Sequence, residues 1–186
     1  MLKITDLKPG VLIELEENPF LVLSSSWKLL GRGRSMAKTK LKNLATGTII
    51  EKVFRGNDTA YEAQIERKKT SYLYHNEENY YFMDKQTYEQ FSLPEKVISF
   101  SKNFLIEGQE VEILYFKDKP VNITLPIKIN LKIKETEPGV RGGRETAGTK
   151  KAVLETNFTT QVPLFIKEGD TVKIDTREGK YLERVK

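Results

Sequence analysis

The 186-residue chain contains no cysteine and a single histidine, His75. Without cysteine there are no disulfides, no thiolate metal sites and no thiol nucleophile. One histidine leaves no multi-histidine metal centre and argues against a hydrolytic triad. No stretch approaches the roughly 18 consecutive apolar residues of a membrane span. The opening "MLKITDLKPG" lacks the apolar centre of a signal peptide. These absences lead us to expect a soluble cytoplasmic protein with no metal, no cofactor and no membrane partner, and they weigh against catalysis.

Positive charge is present, and it is clustered. The chain carries 31 Lys and Arg against 26 Asp and Glu, a net charge of +5. That excess alone is ordinary, so distribution matters more than total. "WKLLGRGRSMAKTKLKN", residues 27–43, holds six Lys or Arg, two glycines and no acid. On a strand Lys38, Lys40 and Lys42 share one face, and Ala37, Thr39 and Leu41 share the other. Such a face is either a solvated strand surface or a contact for a nucleic-acid backbone. Gly31 and Gly33 free the backbone beside Arg32 and remove bulk from it. A guanidinium there keeps its charge at any cellular pH and binds phosphate bidentately or stacks on a base.

Period-two alternation dominates the rest. "GVLIELEENPFLVLSS" predicts two short strands about Glu17-Asn18-Pro19, and "SMAKTKLKNLATGTIIEKVF" a second pair about Ala45-Thr46-Gly47. Tyr72 and Tyr74 precede a polar turn over residues 75–79, with Tyr80 and Phe82 beyond it. Residues 84–94 read as a turn or one-turn helix, and residues 94–108 as the best helix candidate, kept short by Pro94 and Gly108. Many short strands with little helix point to an all-β chain of small barrels. Breaks near residues 62–66 and 126–129 divide it into three modules, 1–64, 65–127 and 128–186, with no convincing exact repeat between them.

Most chemical motifs fail on inspection. "GRGRSMAKTK" lacks the third glycine of a dinucleotide fingerprint, where Met36 stands, and lacks the ending of a P-loop. Glu16-Glu17 and Glu77-Glu78 are adjacent pairs whose side chains point apart on a strand, so no glycosidase-like dyad emerges. His75 reads as a solvated turn residue. Tyr72, Tyr74, Tyr80 and Phe82 could stack on bases, but their alternation favours core packing.

Family resemblance carries the reading further. "LKPGVLIELEENPFLVLSS", "LLGRGRS" and "KTKLKNLATGTIIEKVFRGNDTAYEA" resemble the amino-terminal barrel of bacterial elongation factor P. "YLYHNEENYYFMDKQTYEQFSLP" resembles its middle domain, and "EPGVRG", "AVLETN" and "QVPLFIKEGDTVKIDTREGKYLERV" its last. The resemblance spans essentially the whole chain. It implies an L-shaped, tRNA-like arrangement of three small β-barrels, one SH3-like or KOW-like and two OB-folds. It also implies a monomer that binds the 70S ribosome between the peptidyl-tRNA and exit sites, touching peptidyl-tRNA and ribosomal RNA. There it would stimulate peptide bond formation at consecutive prolines by positioning peptidyl-tRNA, the ribosome doing the chemistry. The chain would not itself be an enzyme.

By the same resemblance Arg32 falls at the loop tip that approaches the tRNA CCA end, supported by Gly31, Gly33 and Arg34. Lys38, Lys40 and Lys42 become RNA-backbone contacts. Relatives carry a modified lysine or a rhamnosylated arginine at the tip, which makes Arg32 a candidate for rhamnosylation by a modifying enzyme. This chain departs from both patterns: Leu30 replaces the proline of the lysine-type loop, and Gly33-Arg34 replace the Asn-Ala that follows the modified arginine. An unmodified Arg32 is the other expectation. In the last domain Gly142, Gly143, Arg144 and Thr146 map to the loop toward the small subunit, more basic here than in relatives. Tyr181 and Arg184 match the closing signature, with Tyr181 expected mainly to pack and Arg184 to contact RNA. Asn157 replaces a glycine, and Thr160 an aliphatic residue at an expected small cost. These departures motivate an alternative, a diverged paralogue that binds ribosome or RNA with a different stalling-motif preference.

Overall fold

The computed structural model describes residues 1–30, 34–56, 58–137 and 148–185, with the backbone but not the side chain for Leu29, Leu30 and Arg34. Its strands form three five-stranded antiparallel sheets in chain order. The first comprises β1 (Leu12–Leu15), β2 (Asn18–Leu30), β3 (Arg34–Asn43), β4 (Ile49–Arg55) and β5 (Tyr61–Glu62), ordered β4-β3-β2-β1-β5. The second comprises β6 (Ile65–His75), β7 (Asn79–Asp84), β8 (Gln90–Pro94), β9 (Glu110–Phe116) and β10 (Lys119–Thr124), ordered β10-β9-β6-β7-β8. The third comprises β11 (Lys128–Thr136), β12 (Thr149–Leu154), β13 (Thr159–Pro163), β14 (Thr171–Asp175) and β15 (Lys180–Arg184), ordered β13-β12-β11-β14-β15.

The second and third sheets thus share one strand order, although no sequence repeat is visible between them. Each places its first strand at the centre, its second and third on one side, and its fourth and fifth on the other. That is the connectivity of an OB-fold. Closure differs in detail. In the second sheet a single helical turn, α1 (Glu95–Ile98), packs between β8 and β10, with Ile98 in the core beside Leu93 and Ile123. In the third, the Thr160 hydroxyl on β13 donates to the Gly179 carbonyl in the β14–β15 turn at 2.7 Å.

Several local expectations shift. The first hairpin turns at Glu16-Glu17, whose φ values of +49° and +61° are those of a two-residue primed turn, and Pro19 lies on β2 opposite Glu14. β2 is therefore long, running thirteen residues to Leu30. Residues 90–94 form a strand, because Phe91 and Leu93 pair with Phe82 and Tyr80 of β7. The expected helix after Pro94 lasts one turn: Ser99 takes φ +48° and the chain continues as a 3₁₀ turn, Ser99–Phe104.

Two joints connect the sheets. Leu44, Ala63, Leu114, Phe116 and Val121 form a buried cluster between the first and second, flanked by Leu12, Leu21 and Ile65. The β3–β4 turn is held by the Asn43 carboxamide, whose Oδ1 accepts from the amides of Ala45 (2.8 Å) and Thr46 (3.1 Å). Its Gly47, at φ +76°, lies so near α1 that an added Cβ would stand 2.5 Å from the Lys96 carbonyl oxygen. Between the second and third sheets, Phe104 leaves the 3₁₀ turn and is buried in the third core with Leu131, Ile133, Leu154 and Ile174.

Candidate nucleic-acid interface

The β2–β3 hairpin is the longest pairing in the chain, from Phe20↔Asn43 to Leu30↔Arg34. A bulge between Val22 and Ser24 adjusts the register, and β4 pairs on the far side of β3. Alternation on β3 is as the sequence predicts. Ala37, Thr39 and Leu41 are buried, and Lys38 and Lys40 are exposed. Thr39 satisfies its hydroxyl by donating to the Lys52 carbonyl at 2.9 Å.

Register assembles the outer face in rows. Lys40 lies between Ser24 and Glu51, Lys38 between Ser26 and Val53, and Met36 between Lys28 and Arg55. Lys28 and Arg55 are both exposed and join a basic face that the lysine triplet alone did not reveal. Lys28 lies in the clustered stretch and Arg55 outside it, and only strand pairing brings both to this face. Four cations, Lys28, Lys38, Lys40 and Arg55, share this face with one carboxylate. Glu51 pairs with Lys38 at 2.8 Å, and that hydrogen bond and charge, with a smaller contribution from Lys40, hold its carboxyl below the usual range. Both partners are more than half exposed, so the pair adds little stability and yields easily to a stronger anion.

Lys42 departs from the expected triplet. It is half-buried, and burial lowers its pKa. The strand alternates as predicted, but the second sheet covers this end of β3. Lys42 therefore enters a cleft between the first two sheets, with Arg67 of β6 on the other side. Gly31, Arg32, Gly33 and the expected loop residues Gly142, Gly143, Arg144 and Thr146 lie outside the described residues. Arg34 begins β3 opposite Leu30, so residues 31–33 connect the two strands.

Toward the carboxy terminus, Tyr181 packs against the third core. Arg184 is engaged within the protein, its Nη2 3.2 Å from Asp170 Oδ1. Asn157 has φ +63° and accepts from Lys134 Nζ at 2.8 Å, so it occupies the left-handed turn that glycine would fill. Thr160 is no packing cost, because its buried hydroxyl makes the closing bond of the third sheet.

Of the four aromatics singled out in the middle sheet, Tyr72, Tyr80 and Phe82 are buried in the core. Tyr74 is not. A bulge between Tyr72 and Tyr74 turns it outward, where it stacks on Tyr81 with ring centroids 4.7 Å apart. His75 ends β6 rather than sitting in a turn; its Nδ1 lies 2.9 Å from the Tyr72 hydroxyl and its ring stacks on Tyr80 at 5.0 Å. Among the described residues no three His, Cys, Asp or Glu side chains gather as a metal site requires, and no helix is long and apolar enough to cross a membrane.

Comparison with known proteins agrees with this architecture. Residues 3–60 match the KOW-like domain of elongation factor P, residues 65–123 its OB domain, and residues 129–184 its C-terminal domain. The chain is 41% identical over 184 residues to elongation factor P of Moorella thermoacetica, covering 99% of this chain and 100% of that protein. It is 39% identical over 186 residues to elongation factor P 2 of Geobacter sulfurreducens, covering 100% of each. Among solved structures, the fold resembles eukaryotic translation initiation factor 5A from Methanococcus jannaschii, with a TM-score of 0.52 and 23% identity over 66% of this chain and 90% of that one. With all three of its sheets matched in order and relatives of this identity along its full length, the chain belongs to the elongation factor P family.

Proposed function

We propose that this translation elongation factor binds the ribosome between the peptidyl-tRNA and exit sites and stimulates peptide bond formation at consecutive prolines. Family membership supports the translation role. The observation that carries the RNA contact is the long β2–β3 hairpin, whose outer face sets Lys28, Lys38, Lys40 and Arg55 against a single carboxylate. Phosphate contacts of this kind fix orientation and weaken with salt. Residues 31–33 join β2 to β3 in the sequence, and the family resemblance assigns Arg32 to the tip, with Gly31, Gly33 and Arg34 around it.

In this reading Arg32 reaches the CCA end of peptidyl-tRNA, and the factor supplies positioning while the ribosome supplies the chemistry. Gly142, Gly143, Arg144 and Thr146 face the small subunit. Arg184, tied to Asp170, contributes to RNA contact only by leaving that partner. The protein acts as a cytoplasmic monomer and carries no cofactor. Arg32 works either bare or rhamnosylated, and peptide mass spectrometry of protein from its native cell distinguishes the two.

A reconstituted translation system stalled at three consecutive prolines tests the proposal. Added protein should accelerate the next peptide bond, and Arg32→Ala should reduce that rescue far more than ribosome binding. No acceleration with native-source or recombinant protein contradicts the function. Equal loss of rescue and binding contradicts the tip-specific role. The departures at Gly33-Arg34 and around Arg144 favour one variant of this reading, a paralogue tuned to other stalling motifs, which stall profiling in a strain lacking the protein would reveal.

A further inference from the structure

The cleft between the first two sheets, about 300 Å³, contains an unusual donor set. Lys42 enters from β3 and Arg67 from β6, and among the described residues neither forms an ion pair. Asn122, 7% exposed, uses its Oδ1 to accept from the Ile123 amide, while its Nδ2 donates to no described residue. Ser101 and Thr124 add hydroxyls, and among the described residues no carboxylate lines the cleft. The remaining wall is apolar, with Leu21, Leu44, Ile98 and Phe100 among its residues. Lys42 pairs with Leu21 and Arg67 with Leu114, and both leucines line the cleft, so the two cations stand at the level of the joint itself.

A half-buried ammonium without a counter-charge is costly unless an anion completes it. An ammonium, a guanidinium and a carboxamide are together the donors a phosphodiester requires. The apolar wall and the exposed Phe100 ring suit the flat, weakly polar remainder of a nucleotide. Continuity with the basic face strengthens the assignment. Lys38, Lys40 and Lys42 recur every second residue, about 6.5–7 Å apart along β3, so a strand of nucleic acid following that face arrives at the cleft.

We infer that this inter-sheet cleft receives one unstacked RNA nucleotide, its phosphodiester held by Lys42, Arg67 and Asn122 and its base against Phe100 and Leu44. Because the cations belong to different sheets, the bound nucleotide also fixes the angle between them. The identification of the nucleotide's source as ribosome-bound RNA rests on the function proposed above; the site itself does not.

NMR titration of the whole protein with uridine and adenosine 5′-monophosphate, uridine and inorganic phosphate tests it. Either monophosphate should shift the side-chain resonances of Lys42, Arg67 and Asn122 and bind more tightly than inorganic phosphate or uridine. Lys42→Gln and Arg67→Gln should each weaken that binding about tenfold, with unchanged fold by amide spectra. Inorganic phosphate binding as tightly as the nucleotides overturns the inference, as does the absence of shifts at these three residues. An acidic peptide shifting them where the nucleotides do not also overturns it. No ribosome enters this titration, so its failure leaves stall rescue to stand or fall separately.

Discussion

The rings of Phe104 and Phe158 stand 5.1 Å apart in an edge-on arrangement that spans two domains. Phe104 comes from the 3₁₀ turn that follows α1 of the second sheet, and Phe158 from the turn between β12 and β13 of the third. Phe100 completes the group, 5.1 Å from Phe104 and 5.7 Å from Phe158. Gly179 approaches so closely that a Cβ there would lie 2.6 Å from the Phe158 ring. A side chain belonging by sequence to the middle domain therefore serves as core for the last one.

Truncating Phe104 to alanine should cost about 3–5 kcal/mol, the range for a buried aromatic. The loss should fall on the joint as well as on the third core. Differential scanning calorimetry should show the transition broadening or splitting as the two sheets uncouple. A single transition lowered by under 1 °C would mean that the ring is not shared.

Thr160→Val keeps shape and removes the hydroxyl that closes the third sheet onto Gly179. The buried carbonyl then loses its donor, at a cost of about 1–2 kcal/mol. Urea unfolding should register this as a lower midpoint with an unchanged m-value. A neutral or stabilising result would return Thr160 to the status of a replaceable core residue.

Asp175 gives the fold an acid-sensitive point. Its Oδ2 meets Arg177 Nη2 at 2.6 Å and its Oδ1 accepts from the Arg177 amide at 2.9 Å. The Arg177 side-chain hydrogen bond, then the backbone bond, lower its pKa from 3.8 to about 2. A carboxyl with a depressed folded pKa stabilises fully above its unfolded value, and the contribution vanishes as pH falls through the folded one. Thermal melts should therefore show wild type and Asp175→Asn converging between pH 4 and about 2, with the wild type ahead above that window. A difference independent of pH would show that the charge is not what stabilises.

Lys42 predicts the opposite trade. Burial lowers its pKa from 10.5, so below the folded value the charged side chain weakens the fold, and the deficit fades as pH rises toward 10.5. Lys42→Met should raise Tm by about 1–3 °C at neutral pH while impairing nucleotide binding in the cleft. Loss of both stability and binding would instead mark Lys42 as a structural residue.

Local chemistry made much of this molecule readable. Alternation of Lys38, Thr39, Lys40 and Leu41 named a strand and both of its faces, because a pleated backbone allows little else. Spacing of turns announced an all-β chain, and the quoted segments announced the family. Asn157 was readable too, since few residues other than glycine accept its φ of +63°. Pro19 misled, because proline is a turn former only where the neighbouring chain allows it, and Glu16-Glu17 had already made the turn.

What the sequence settled by itself was therefore periodicity: that the chain is mostly strand, which side of β3 faces the core, and where positive charge gathers. Pairing partners were decided only by the tertiary structure, because hydrogen-bonded register joins residues far apart in the chain. Register brought Lys28 and Arg55 beside Lys38 and Lys40. Packing of the second sheet against the first covered the Lys42 end of that face and set Lys42 opposite Arg67. The same strand order appears twice without a repeated sequence, since many side-chain sets bury an equivalent sheet while the connectivity is fixed by chain order and closure.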